Sequence, residues 1–340
     1  MLKLNRRKAL LLMGGATAAT SLARPSFAAS DSKKIKVGAL RFTSHSASFV
    51  AFERGYFADA GLDVEFKFFQ AAQPMAVAIA SGDIDYAVTA VSGGLISLAQ
   101  KGAIKIIGGA LSEEAGIDGQ KILASNAAFD AGLTAPSKLE GKSYAVTQSG
   151  SSFHYMGSKI AAAEGVSVKF KPLQKVGAII GAMKSGQVDA WSIVPHIAKG
   201  LGGAGAVKII GDVADYIPDY QVTTVFTSSN NAANEKAQTG AFIEAFSQGA
   251  SDFNAAMVDK SQDESARDAM VELIHKYVYA DRPLEKAAKS IINGSMRINQ
   301  GASLNATSIA DQLAWFQSEG LVDQSITLET LIDGSYVKVT

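Results

Sequence analysis

Fifty consecutive residues of this chain reappear 104 positions later. When Ala39–Val88 is laid on Ser143–Ser192 without a gap, thirteen positions are identical, where a chain this rich in Ala, Gly and Ser would leave about four by chance. The matches include Thr43/Thr147, Ser48/Ser152, Phe49/Phe153, Gly61/Gly165, Phe66/Phe170, Gly82/Gly186 and Asp85/Asp189. Solenoid repeats run at about 20–50 residues, so this longer period is one α/β unit used twice. Two like units predict two lobes with a cleft between them.

Each unit reads strand, loop, helix, strand, helix, strand. In the first, Ile35–Leu40 is a buried strand and Thr43–Ser46 a polar loop. A helix over Ala47–Phe57 is closed by Gly61, and Val64–Phe69 alternates as a second strand. Pro74 opens a helix over Met75–Ala80 that stops at Gly82, before a short strand at Ile84–Thr89. The second unit repeats the order through strand Ser143–Val146, loop Thr147–Ser151 and helix Ser152–Glu164. It continues with strand Ser167–Lys171, helix Ala178–Lys184 and strand Val188–Ile193. This alternation predicts parallel pairing with right-handed crossovers.

Further strands are expected at Ile104–Gly109 and Val207–Ile210. Lys121–Ala124 leads across to the second lobe, and Tyr220–Phe226 returns. The expected division is 33–124 plus 226–340 for lobe one and 125–225 for lobe two, with two crossing strands as the hinge. From Ala233 onward the pattern is helical, over Gly240–Met257, Asp263–Val278, Pro283–Asn293 and Ser308–Glu319.

Residues 1–28 read as a cleaved export signal. Lys3, Arg6, Arg7 and Lys8 form a basic start, Ala9–Leu22 is apolar, and Ser26, Ala28 and Ala29 supply small residues for cleavage. Arg6-Arg7 before a weakly apolar stretch resembles a twin-arginine signal, although Asn5 and Ala9 depart from that pattern. Removing the segment takes five positive charges and no acid from a chain of net charge zero, which leaves −5. No basic field is left to hold nucleic acid. The chain has no cysteine, which excludes disulfides, thiolate metal sites, a cysteine nucleophile and a lipid-modified cysteine anchor. The expected product is a soluble periplasmic monomer without cofactor.

In open α/β sheets ligands bind beyond the carboxyl ends of the strands, at helix N-termini that offer unpaired N–H groups and partial positive charge. The corresponding loops carry Thr43, Ser44, His45 and Ser46 in lobe one, and Gln148, Ser149, Gly150, Ser151 and Ser152 in lobe two. If the lobes face each other, both loops converge on one ligand, and a carboxylate, a sulfonate or a polar heterocycle suits them. Taken singly, each Ser or Thr serves equally as a helix cap. Ser92 and His196 form a second symmetric pair where third strands end. Arg41 is the cation placed to meet an anion, with an ion pair to Glu53 or another acid as its other reading. Trp191 is either a stacking surface or a core residue.

Other motifs are discounted. Gly200–Gly205 satisfies G-x-G-x-x-G, but it follows a helix and precedes a strand, the reverse of a dinucleotide loop. The four histidines, at 45, 154, 196 and 275, are scattered and form no metal set.

A-F-E-R-G-Y-F-A-D-A-G-L-D-V-E (51–65) resembles a signature of periplasmic substrate-binding proteins for sulfonates, taurine, nitrate and thiamin-type pyrimidines. The resemblance continues through A-S-G-D-I-D-Y-A-V (80–88), L-E-G-K-S-Y-A-V (139–146), K-S-G-Q-V-D-A-W (184–191) and I-A-D-Q-L-A-W-F-Q-S-E-G-L (309–321). It implies a two-lobed type II periplasmic-binding fold, each lobe a mostly parallel sheet flanked by helices. It also implies a small-molecule ligand handed to the permease and ATPase of an ABC importer. The family's cleft positions fall on Thr43–Ser46, Gln73, Ser92, Ser149–Ser152, Trp191 and His196. Phe42, His45 and His196 depart from sulfonate binders, so an aromatic or heterocyclic ligand stands beside an alkanesulfonate. Two other readings are an enzyme on the same fold, like the pyrimidine synthase of thiamin formation, and a receptor for a membrane signalling partner. That synthase carries a cysteine-rich motif this chain lacks.

Overall fold

The computed structural model describes residues 34–340, and the expected export signal lies outside them. The named strands form two five-stranded sheets. The first sheet contains β1 (Ile35–Ala39), β2 (Val64–Phe68), β3 (Tyr86–Thr89) and β4 (Ile104–Gly109). The second contains β5 (Lys121–Ser125), β6 (Ser143–Val146), β7 (Lys169–Pro172), β8 (Ala190–Ile193) and β9 (Val207–Asp212), and β10 (Thr224–Ser228) returns to the first. Their orders are β2-β1-β3-β10-β4 and β7-β6-β8-β5-β9. β10 runs antiparallel to both its neighbours, as does β5, and β1–β2, β1–β3, β6–β7 and β6–β8 are parallel.

The reversed strand in each sheet is the one that arrives from the other lobe. β5 lies wholly in the second sheet and β10 wholly in the first, so each change of sheet comes a few residues before the boundary expected at 124 and 225. The segments leading in and out pair with each other. Ala110 N–H donates to Thr223 O (3.0 Å), Val222 N–H to Leu111 O (2.9 Å) and Glu113 N–H to Tyr220 O (2.9 Å).

The repeat is visible in the geometry, with one correction. Phe66 pairs with Val37 and Phe170 with Tyr144. Tyr86 pairs with Val37 and Ala190 with Tyr144. Second and third strands therefore correspond at the 104-residue offset, but first strands correspond three residues later. Asp85 accepts from Lys36 N–H (2.8 Å) and Asp189 from Ser143 N–H (2.7 Å), the same staple at the shifted register. The helices that follow begin at Ser46 and Ser152, and the left-handed glycines behind them, Gly61 and Gly165, return to the original offset. Lobe one thus has three additional residues between its first and second strands: one lies before the helix, where a 3-10 turn, Thr43–His45, stands, and two lie in the helical stretch broken at Gly55. The identity Thr43/Thr147 in the gapless alignment does not mark equivalent positions.

Glycine punctuation explains the helix ends. Gly82 (φ 79°) and Gly186 (φ 72°) close helices Ala72–Ser81 and Val176–Ser185 in the left-handed conformation, where a side chain is strained. The helix expected over Ala47–Phe57 is instead Ser46–Glu53 and a short Tyr56–Asp59, divided at left-handed Gly55. Gly249, on helix Lys236–Phe253, lets that helix approach Ser46–Glu53. A Cβ there would stand 2.2 Å from Ala47 O and 2.8 Å from Ala51 N.

The C-terminal helices touch both lobes. Helix Glu264–His275 packs on Ser46–Glu53, and Leu284–Ile292 packs on Pro195–Gly203. In helix Ala306–Ser318, Trp315 meets the rings of His154 and Tyr155, and Asp311 accepts from the Tyr155 hydroxyl.

Candidate functional site

Four helix N-termini border one space between the lobes. Helix Ser46–Glu53 leaves the 3-10 turn, and Ser151 caps helix Ser152–Glu164, its Oγ accepting from His154 N–H. Helices Ala72–Ser81 and Val176–Ser185 begin beside them. Ser44, Ala72, Ser152 and Val176 all line an inner chamber of about 60 Å³. Thr89, Thr147 and Thr223 add hydroxyls, and Leu40, Phe153, Ile193 and Val222 add apolar wall. Helix N-termini favour negative charge, so the chamber suits an anion or a polar acceptor.

His45 is the chamber's most telling group. It is 1% exposed, and its Nδ1 accepts from Leu40 N–H (3.4 Å). Burial pulls its pKa down to about 3, so the ring is neutral at pH 7 and carries its proton on Nε2. That Nε2 is buried without a protein partner. Gln120 also lines the chamber with its Oε1 buried and unpartnered. Its backbone N–H donates to Glu113 Oε1 (3.0 Å) in the crossing segment. Burial pushes the Glu113 carboxyl up to about 7, and its Oε2 has no partner.

Outside the chamber lies a wider cleft of about 580 Å³, which shares Leu40, Phe42 and Val176 with it. Its floor is apolar: Ile180 on one helix of the second lobe, and Ile197 and Leu201 on the next. Among the described residues, Arg41, Lys184 and Arg282 line this cleft, and no acidic side chain does. The Arg41 guanidinium lies 3.8 Å over the Phe68 ring and donates to Tyr277 O (3.3 Å). Glu53 is held by Lys276 and Tyr277 instead, so Arg41 does not form the ion pair weighed for it. Arg282 lies 4.4 Å over Tyr279, which also lines the cleft.

Thr43 and His196 join the lobes at this cleft. The Thr43 hydroxyl donates to Gly294 O (3.0 Å) and bonds His196 Nδ1 (2.9 Å). A hydroxyl has one proton to give, so His196 is the donor in the second bond. Burial, and secondarily His45, pulls the His196 pKa down to about 3. Its ring meets Phe42 and Tyr279 edge-on.

The residues singled out in the sequence therefore separate into groups. Phe42, Ser44, His45, Ser151 and Ser152 line the inner chamber, and Arg41, Phe42 and His196 line the outer cleft. Thr43 supports them from behind. Ser46 is buried with its Oγ unpartnered and lines neither space. Ser92 caps helix Gly93–Gln100 and donates to Gln73 Oε1. Gln148, Ser149 and Gly150 form the turn before Ser151, and Gly150 O accepts from Gly93 N–H (2.9 Å) across the lobes. Trp191 is wholly buried beneath Phe153 and lines neither space. Gln120, Thr223, Lys184, Tyr279 and Arg282 were not expected; only folding brings these distant segments together. Among the described residues, no group of three or more His, Asp or Glu side chains is placed to hold a metal ion.

Comparison with known proteins adds the family context. The sequence matches the family described as NMT1/THI5 like over residues 42–256. No curated protein matches it. Among solved structures, the alkanesulfonate-binding protein SsuA from Xanthomonas axonopodis pv. citri, bound to MOPS, is similar with a TM-score of 0.69 at 16% identity. The match covers 89% of this chain and 98% of that one. The periplasmic nitrate-binding protein NrtA from Synechocystis is similar with a TM-score of 0.66 at 14% identity, over 87% and 83% of the two chains. A cysteine-to-serine mutant of DszB in complex with biphenyl-2-sulfinic acid is similar with a TM-score of 0.54 at 12% identity, over 89% and 98%. The fold is that of the periplasmic binding proteins.

Proposed function

Because the chain belongs to the NMT1/THI5-like family, we propose that it is a solute receptor that captures a small organic molecule, anionic or aromatic/heterocyclic, between its lobes and delivers it to an ABC importer. The reading has residues 1–28 direct export, and the remainder work in the periplasm as a soluble monomer. The observation that carries it is the His45 Nε2 proton. A buried donor without a partner costs about 1–3 kcal/mol, and its residue lines a chamber walled by both lobes. A ligand acceptor offsets that cost. NrtA is a nitrate-binding protein and SsuA an alkanesulfonate-binding one, which agrees with an acceptor-rich guest.

The reading assigns binding rather than chemistry to the cleft. The hydroxyl–imidazole pair at Thr43 and His196 has its hydroxyl proton directed to Gly294 O, so His196 does not serve as a base for Thr43. Ligand binding to the native state raises the melting temperature by mass action. Purified protein is expected to gain several degrees with at least one member of a panel of sulfonates, aromatic carboxylates, pyrimidines and flavins. Mass spectrometry of small molecules released on denaturation would identify a retained ligand. An unchanged melting curve across the panel, with nothing released, would refute the receptor; turnover of a bound panel member would replace it with an enzyme.

A further inference from the structure

Resting on that receptor reading, we propose that the ligand is a two-ended anion: a compact acceptor head in the inner chamber, an apolar body on the floor of the outer cleft, and a second anionic group at Arg41, Lys184 and Arg282. Two separate observations set the two ends. Inside, the chamber holds only a few atoms, is lined by His45, whose buried Nε2–H has no protein partner, and has no cationic side chain among its described lining residues. Outside, three cations line a cleft nearly ten times larger without any acid among its lining residues. Neither space alone accounts for the other.

The geometry between the ends favours an apolar spacer. Val176, Ile180 and Lys184 recur at helical spacing on helix Val176–Ser185, so the apolar floor and its ammonium belong to one face. The guanidinium groups of Arg41 and Arg282 lie over Phe68 and Tyr279, rings of the same cleft. A guanidinium over a ring keeps edge N–H groups for an anion, in Arg41 those other than the one given to Tyr277 O. A small inorganic anion or a short alkanesulfonate fills the inner chamber but leaves this surface unused.

Isothermal titration calorimetry with the purified protein tests the assignment. The probes are benzoate, biphenyl-4-carboxylate and biphenyl-4,4′-dicarboxylate, with terephthalate and naphthalene-2,6-dicarboxylate as shorter dianions. At least one dianion is expected to bind tenfold or more tightly than benzoate and biphenyl-4-carboxylate. In a Lys184→Ala/Arg282→Ala variant that advantage should fall below threefold. If benzoate binds but no dianion gains, or if the gain survives the double substitution, the outer subsite is refuted and the receptor reading stands. If no carboxylate probe binds, the two-ended anion is overturned. The wider melting panel and the released-ligand analysis then decide the receptor reading independently.

Discussion

Thr43→Val tests whether contact between the lobes is linked to binding. The substitution keeps the side-chain shape but removes the hydroxyl that bridges His196 Nδ1 and Gly294 O at 2.9 and 3.0 Å. Both residues are buried, so with the lobes in contact a His196 N–H is left without a partner. Such a loss costs about 1–3 kcal/mol. In an opened arrangement water reaches the same groups, and the penalty largely disappears. The cost therefore falls on the binding-competent state, and apparent affinity drops by the fraction of that state lost. Taking about 1–2 kcal/mol, the dissociation constant should rise roughly 5- to 30-fold. Calorimetry with whichever ligand the melting panel identifies gives the dissociation constant directly, and denaturant unfolding of the free protein gives the accompanying stability change. Wild-type affinity in a variant whose free form has lost 2 kcal/mol or more would show that this bond supports the fold and not closure.

Other outcomes are equally specific. His45 and His196 keep folded pKa values near 3 against an ordinary value near 6.5, so their contribution is present above pH 6.5 and is lost as pH falls toward 3. Each costs up to about 1.4 kcal/mol per pH unit in that window. His45→Gln should flatten the acid limb of a stability–pH curve, and an unchanged limb would contradict the assignment. Glu113 has the opposite sign: its folded pKa is raised to about 7, so its stabilising contribution is present at low pH and lost as pH rises from about 4.5 to 7. Glu113→Gln keeps an acceptor for Gln120 N–H and should abolish that slope, leaving the variant relatively more stable at pH 8. Gly249→Ala should destabilise by about 1–3 kcal/mol through overpacking against Ala47 and Ala51. A melting temperature equal to the wild type's would show that the two helices separate without cost.

The larger features of this fold were legible because they rest on periodicity and punctuation. Strand–helix alternation and the glycines at 82 and 186 carried the two-sheet architecture, and the hydroxyl-rich loops led to Ser44, His45, Ser151 and Ser152. Two kinds of information were not legible. Register was one: a three-residue insertion is hidden when chance identities such as Thr43/Thr147 bridge it. Assembly was the other. Gln120 and Thr223 enter the chamber from the crossing segments, and Arg282 and Tyr279 enter the cleft from the C-terminal region. Nothing in their local sequence distinguishes them from ordinary surface residues. Trp191 shows the converse: scarcity drew notice to a side chain that packing places in the core.

The additional turn at Thr43–His45 has a consequence for orientation. Two identical halves around an axis would greet a guest the same way whichever end came first. By lengthening one rim only, the chain sets the inner chamber's imidazole on a single bank, opposite the hydroxyls of Thr147, Ser151 and Ser152. An unsymmetrical molecule then has one favoured heading, and whatever receives it from this protein meets the same end each time.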